Sequence, residues 1–115
     1  MKYLLALIAL IAVVNVYPAQ QTVKIGPGFF TAKDYLDMSD TEKRAYVTGQ
    51  MNGMLVAPFF GAPEEKLSWL KTCGARMSDE QLASILTRYI REQTNQQQNL
   101  NVVTFTALRD ACRGQ

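Results

Sequence analysis

Helix start signals are the feature of this 115-residue sequence that most restricts its fold. Ser39 with Glu42 and Ser78 with Gln81 each form a capping box, in which each side chain accepts a hydrogen bond from the other residue's backbone N–H. Thr31 is a third residue able to cap a helix. The sequence contains no alternation of apolar and polar residues long enough to indicate a strand. These patterns predict a small all-α domain of four to five helices.

The capped segments also predict where the two longest helices lie. The helix after Ser39 should continue to about Val56, because Ala57 precedes a proline and that position disfavours further helical turns. Its apolar residues are spread over so wide an arc that we expect a central helix covered by its neighbours. The helix after Ser78 has the clearest helical spacing in the sequence. The residues with this spacing are Leu82, Ile85, Leu86, Tyr89 and Ile90.

A shorter helix and a last helix complete the prediction. Glu64 and Glu65 are expected to open the shorter helix, where acidic residues suit the positive end of the helix dipole. Asn101 is expected to cap the last helix after a polar loop that includes residues 95–99. The expected apolar face of this last helix is Val102, Phe105, Leu108 and Cys112.

The first 19 residues have the layout of a secretory signal peptide. Lys2 precedes an apolar run over residues 4–14, and Ala19 is a small residue at the expected cleavage point. The run is shorter than the roughly 20 residues that a membrane-spanning helix needs. Tyr17 lies where a small residue is preferred, so an uncleaved membrane anchor is the alternative. We therefore predict residues 1–19 as signal peptide, 20–30 as an extended lead-in and 31–115 as the helical domain, located in the periplasm.

The two cysteines of the sequence are expected to form a disulfide. An even cysteine count in an exported chain favours a disulfide framework, and Cys73 and Cys112 would join the end of the third helix to the last one. The alternative is two unpaired buried thiols. A zinc site is disfavoured because the chain has no histidine and two cysteines are only half of a structural zinc site. Trp69, one turn before Cys73, is expected to cover the disulfide.

Composition argues against several classes of function. The 12 Lys and Arg and 10 Asp and Glu give a net charge of +2, and the two signs are interspersed, so nothing indicates nucleic acid as a partner. Histidine, the commonest general base, is missing. Each acidic pair, Glu64-Glu65 and Asp79-Glu80, opens a predicted helix and has a structural explanation. The sequence therefore predicts a binding protein with no catalytic site, cofactor or metal.

Two sites stand out as candidates for close contact. Gly49 and Gly53 share a helix face, and we expect them to allow close packing inside the domain, with a partner surface as the alternative. Phe59 and Phe60 form a partner interface in our interpretation, because adjacent aromatic residues on a turn cannot easily both face the core. One is expected to pack inward and the other to be an exposed contact.

Several short motifs in the helical region also suggest a family. They are Phe30, Asp34-Tyr35-Leu36, Tyr46-Val47-Thr48-Gly49, Gly53, Cys73, Met77-Ser78, Gln81-Leu82, Tyr89-Ile90, Ala107-Leu108 and Cys112. In order and spacing they resemble the Tai-like immunity family, exported proteins that neutralise amidase effectors of type VI secretion. The resemblance implies an α-helical periplasmic protein with an internal disulfide, often a homodimer, that binds a secreted peptidoglycan amidase and occludes its active site. Residues 92–95 depart from the family pattern, which often has a Pro-Glu pair there.

A second resemblance implies a different function. The segment from Asp34 to Gly53 is similar to the opening of HdeA-like acid chaperones, periplasmic proteins that loosen at low pH and hold unfolding chains. In that family the first cysteine lies beside the opening motif, where this chain has Thr31 and Ala32. The alternatives to an immunity protein are thus an acid-stress chaperone and a structural envelope protein without a toxin partner.

Overall fold

A computed structural model describes residues 29–113, which form a small all-α domain. Three short 3₁₀ segments connect its helices. The five α-helices of this part of the chain are α1 (Ala32–Asp37), α2 (Asp40–Val56), α3 (Ser68–Thr72), α4 (Asp79–Glu92) and α5 (Leu100–Ala111). The predicted fold class is therefore confirmed. The predicted signal peptide and most of the predicted lead-in lie outside the described residues.

Capping boxes begin three of these helices. In α2 the Ser39 backbone N–H donates to Glu42 at 2.8 Å, and in α4 the Ser78 N–H donates to Gln81 at 2.9 Å. Thr31 was expected to cap α1 with its side chain only, but it forms a full capping box. Its N–H donates to an Asp34 carboxylate oxygen at 2.7 Å, and its hydroxyl accepts from the Asp34 N–H. Both predicted boxes are confirmed, and a third one starts α1.

The centre of the fold is α4, which packs against α1, α2 and α5. Leu86 and Ile90 of α4 are completely buried, and so is Tyr35 of α1, whose hydroxyl donates to the Ala83 carbonyl oxygen at 3.1 Å. The prediction that α2 is the covered central helix was wrong. Its buried side chains are Val47, Met51 and Met54, on one face, and its opposite face is exposed.

The last helix begins two residues before the expected position. Asn99 caps α5 by accepting from the Asn101 N–H at 2.9 Å. Leu100 and Val103 face the core in this register, while Val102, predicted to be on the apolar face, is exposed. Asn99 and Asn101 can both cap a helix, so the sequence alone did not distinguish the two start positions. Starting at Leu100 places that side chain in the core.

The polar loop before α5 is attached to the start of α1. The backbone N–H groups of Ala32 and Lys33 donate to the carbonyl oxygens of Gln98 and Gln96 at 3.0 and 2.9 Å, and the Leu100 N–H donates to Phe30 at 3.0 Å. These bonds satisfy helix N-terminal donors that otherwise need solvent. The loop is therefore part of the scaffold.

Candidate functional site

A rigid turn that bears two phenylalanines follows α2. We call residues 57–62 the aromatic turn. It begins with the 3₁₀ segment Ala57–Phe60 and closes at Gly61, whose φ of 95° is the left-handed conformation that favours glycine. The Gly61 N–H donates to the Pro58 carbonyl oxygen at 3.0 Å, and the Ala62 N–H donates to Ala57 at 3.2 Å. The proline ring and these two bonds hold the backbone in one shape.

Both phenylalanines of the aromatic turn point away from the domain. Phe59 is 88% exposed and Phe60 is 86% exposed, so the expectation that one of them packs inward was wrong. The half-buried Ala57 and Pro58 attach the turn to the domain instead. The sequence identified the two phenylalanines as a candidate contact. Only the structure shows that both side chains are exposed to solvent.

The exposed face of α2 continues from the aromatic turn toward the middle of the helix. It contains Gly49, Gly53 and Val56, the last of which is 45% exposed. A Cβ added at either glycine would have no atom of the described chain within 4 Å. The expected close packing of these glycines inside the domain was therefore wrong, because they lie on the side of α2 opposite its buried residues. Residues 45–63 contain no Asp, Glu, Lys or Arg.

The disulfide joins Cys73 and Cys112, as predicted. Its Cα atoms are 5.8 Å apart, and it connects the end of α3 to the end of α5. Trp69 packs edge-to-face on Phe105, with ring centroids 5.7 Å apart. The bond and this aromatic pair fix the segment after the aromatic turn against α5.

A charged groove between α2 and α4 was not predicted from the sequence. It has a volume of about 570 Å³ and is lined by charges of both signs, including Lys43 and Arg88 as well as Asp40 and Glu92. Arg44, which also lines the groove, donates to Asp79 at 2.9 Å, and this hydrogen bond lowers the pKa of that carboxyl group. Four basic and three acidic side chains line the groove, so neither sign of charge is strongly in excess.

Within residues 29–113, no group of three or more His, Cys, Asp or Glu side chains could hold a metal ion. No helix in the same range is both long and apolar enough to cross a bilayer. Searches against protein-family models, curated proteins and solved structures found no match.

Proposed function

We propose that this chain is an exported immunity protein that binds and inhibits a cell-wall-degrading amidase through the aromatic turn. The observation that carries the proposal is the exposure of Phe59 and Phe60 on a turn whose backbone is already fixed. Rigid aromatic side chains lose little conformational entropy on binding, and aromatic residues are enriched in the cores of interfaces. The resemblance to Tai-like proteins supplies the class of partner.

The chemistry of the surface supports a protein partner. Two phenylalanines that each present most of about 150–250 Å² expose roughly 350 Å² of apolar surface together. The largest apolar patch on a typical monomer measures about 300–600 Å² and is often functional, so this patch is the natural candidate for a binding site. The patch belongs to the stretch 45–63, which contains no Asp, Glu, Lys or Arg, so covering the patch itself desolvates no charge.

The first test is to find the partner and remove the two side chains. A pull-down with the tagged protein from periplasmic and culture-supernatant extracts, read by mass spectrometry, should return one stoichiometric partner with a hydrolase fold. Phe59→Ala with Phe60→Ala should weaken that binding by more than about tenfold, since interface aromatics commonly contribute over 1 kcal/mol each. Inhibition of the partner's amidase activity should weaken equally.

The matched control is Phe29→Ala, which removes a fully exposed phenylalanine outside the aromatic turn and should leave binding unchanged. The melting temperature of the double variant should stay within a few degrees of the parent, because exposed side chains contribute little to stability. Unchanged affinity in the double variant would contradict the proposal, and so would a partner without hydrolase activity. If no partner is captured, the structural envelope protein becomes the better hypothesis.

An acid-stress chaperone is the second candidate, and one observation favours it. Carboxylates with a lowered pKa form two of the capping boxes: hydrogen bonds from the backbone and side chain of Thr31 lower the pKa of Asp34, and those of Ser39 lower the pKa of Glu42. Acid protonates these groups and weakens the helix starts. A chaperone should therefore expose apolar surface near about pH 3 and suppress client aggregation. Unchanged binding of a hydrophobic dye at that pH would exclude this candidate.

A further inference from the structure

We propose that a pocket formed by α1 and the first turns of α2 binds an arginine side chain of another protein. We call it the acidic pocket; it is lined by Phe30, Asp34, Asp37, Met38, Glu42 and Tyr46. Its volume of about 440 Å³ admits a long side chain. The inference does not rest on the proposed function, because the acidic pocket and the aromatic turn lie at opposite ends of α2. Glu42 and Val56, near these two ends, are roughly 20 Å apart along the helix.

The wall of the acidic pocket is aromatic and fixed by the fold. Phe30 is 45% exposed and packs edge-to-face on Tyr46, with ring centroids 6.5 Å apart. Tyr46 also packs on the buried Tyr35, with ring centroids 5.9 Å apart, and its hydroxyl donates to Asn101 at 3.1 Å. A cation is attracted to the face of an aromatic ring, and the attraction grows as water is excluded. The pocket therefore presents a preformed surface for a cation with an apolar stem.

The charges that line the acidic pocket have one sign. Three carboxylates line it, and none of its described lining residues is a lysine or an arginine. Lys33 donates to Asp37 at 2.9 Å, which offsets one of the three negative charges. The whole chain, by contrast, carries a net charge of +2. A local excess of carboxylates on a basic chain attracts a cationic group and repels an anionic one.

The two capping carboxylates of the pocket are still able to accept hydrogen bonds. Asp34 accepts from the N–H and the hydroxyl of Thr31 through Oδ2, and Glu42 accepts from the Ser39 N–H through Oε2. An ionised carboxylate has about four acceptor positions on its two oxygens, so both groups have capacity to spare. The same bonds lower the pKa of Asp34 and Glu42, so both remain charged at neutral pH.

Arginine fits this combination of groups better than a metal ion or a lysine. No set of acidic side chains in residues 29–113 is arranged to hold a metal ion. A guanidinium group is planar, stacks on aromatic rings and donates to carboxylates through a fixed fork, whereas an ammonium group is compact and strongly hydrated. Arginine is also enriched in protein interfaces. The aromatic wall and the carboxylates together match both properties of the guanidinium group.

The test is an NMR titration of the full chain, purified in the form that the producing cells leave it. The probe is N-acetyl-arginine N-methylamide, whose only charge is on the side chain. Backbone amide shifts should saturate, be confined mainly to residues 30–46, and give a dissociation constant below about 10 mM. The neutral citrulline analogue should bind at least about fivefold more weakly, because it lacks the charge that the carboxylates and the rings attract. The lysine analogue should also bind more weakly. Absence of a saturable shift, or equal binding of either analogue, would overturn the proposal.

Two variants locate the bound probe. Asp37→Asn with Glu42→Gln should raise the dissociation constant of the arginine probe about fivefold, and glutamine keeps the capping geometry that the box of α4 uses. Phe30→Leu should also weaken binding, because leucine is apolar but has no aromatic face. Glu64→Gln with Glu65→Gln is the matched control: it removes the same charge outside the pocket and should bind like the parent. Circular dichroism checks that every variant is folded. Parent-like binding by both pocket variants, or an equal loss in the control, would show that the acidic pocket does not hold the arginine.

Discussion

Gly53 and Gly74 are residues of the same type whose surroundings differ. A Cβ at Gly53 would contact no described atom within 4 Å, whereas one at Gly74 would lie 3.0 Å from Cε of Met51, a buried side chain of α2. Nothing in the sequence indicates that the two glycines have different surroundings. Only the packing shows that a Cβ at Gly74 would crowd a buried side chain of the core, while Gly53 faces outward.

This difference predicts opposite effects of alanine. Gly53→Ala should raise the free energy of unfolding by about 0.5–1 kcal/mol, the gain in helix propensity. Gly74→Ala should lower it, because Met51 has to move from its buried position. Urea denaturation measures both. A destabilised Gly53→Ala variant would mean that the face of α2 is packed against another surface in solution.

At the scale of the elements, the helix starts differ in their response to pH. The boxes of α1 and α2 contain carboxylates, Asp34 and Glu42, whereas that of α4 contains the neutral Gln81. The ordinary pKa values of 3.8 and 4.5 are lowered in the folded state by hydrogen bonds from Thr31 and Ser39. Their stabilising contribution is therefore present above the ordinary pKa and is lost as the pH falls through the lowered one.

Glu42→Gln isolates this effect, because glutamine keeps the capping geometry that α4 already uses and does not titrate. We expect the melting temperature of the parent to fall more between pH 7 and about pH 3 than that of the variant. Thermal unfolding followed by circular dichroism at both pH values measures the difference. Equal losses in the two proteins would show that the α2 box contributes nothing to acid sensitivity.

At the scale of the whole molecule, the disulfide compensates for the small size of the domain. It closes a loop with a sequence separation of 39 residues, for which the chain-entropy model gives about 4 kcal/mol. That is a large fraction of the roughly 5–15 kcal/mol by which domains are stable. Both sulfur-bearing residues are buried, so we expect the bond to resist reductant until the domain opens.

Cys73→Ser with Cys112→Ser should therefore lower the melting temperature by roughly 20 °C, given about 4–8 °C per kcal/mol for a domain of this size. Differential scanning calorimetry measures the change. As a control, thiol labelling of the denatured, unreduced parent should find no reactive cysteine. A melting temperature within a few degrees of the parent would mean that the loop is already ordered in the unfolded chain.

The sequence by itself determined the local features of this protein. Ser39 and Ser78 mark helix starts, because their side chains form hydrogen bonds within the first helical turn. The proline at position 58 marks the end of α2, because its ring disfavours the helical conformation of the residue before it. Such interactions depend on neighbours in the sequence, so they can be read without the fold. The pairing of the two cysteines was predicted from their even number together with the expected export of the chain.

Tertiary structure decided which faces are covered. The breadth of the apolar pattern on α2 predicted burial all round, yet α4 occupies the centre and leaves Gly49, Gly53 and Val56 exposed. The same applies to Phe59 and Phe60, and to the choice of Asn99 over Asn101 as the cap of α5. Helix periodicity shows which residues share a face. Whether a neighbouring helix covers that face depends on how all five helices pack together, because burial is a property of the assembled domain.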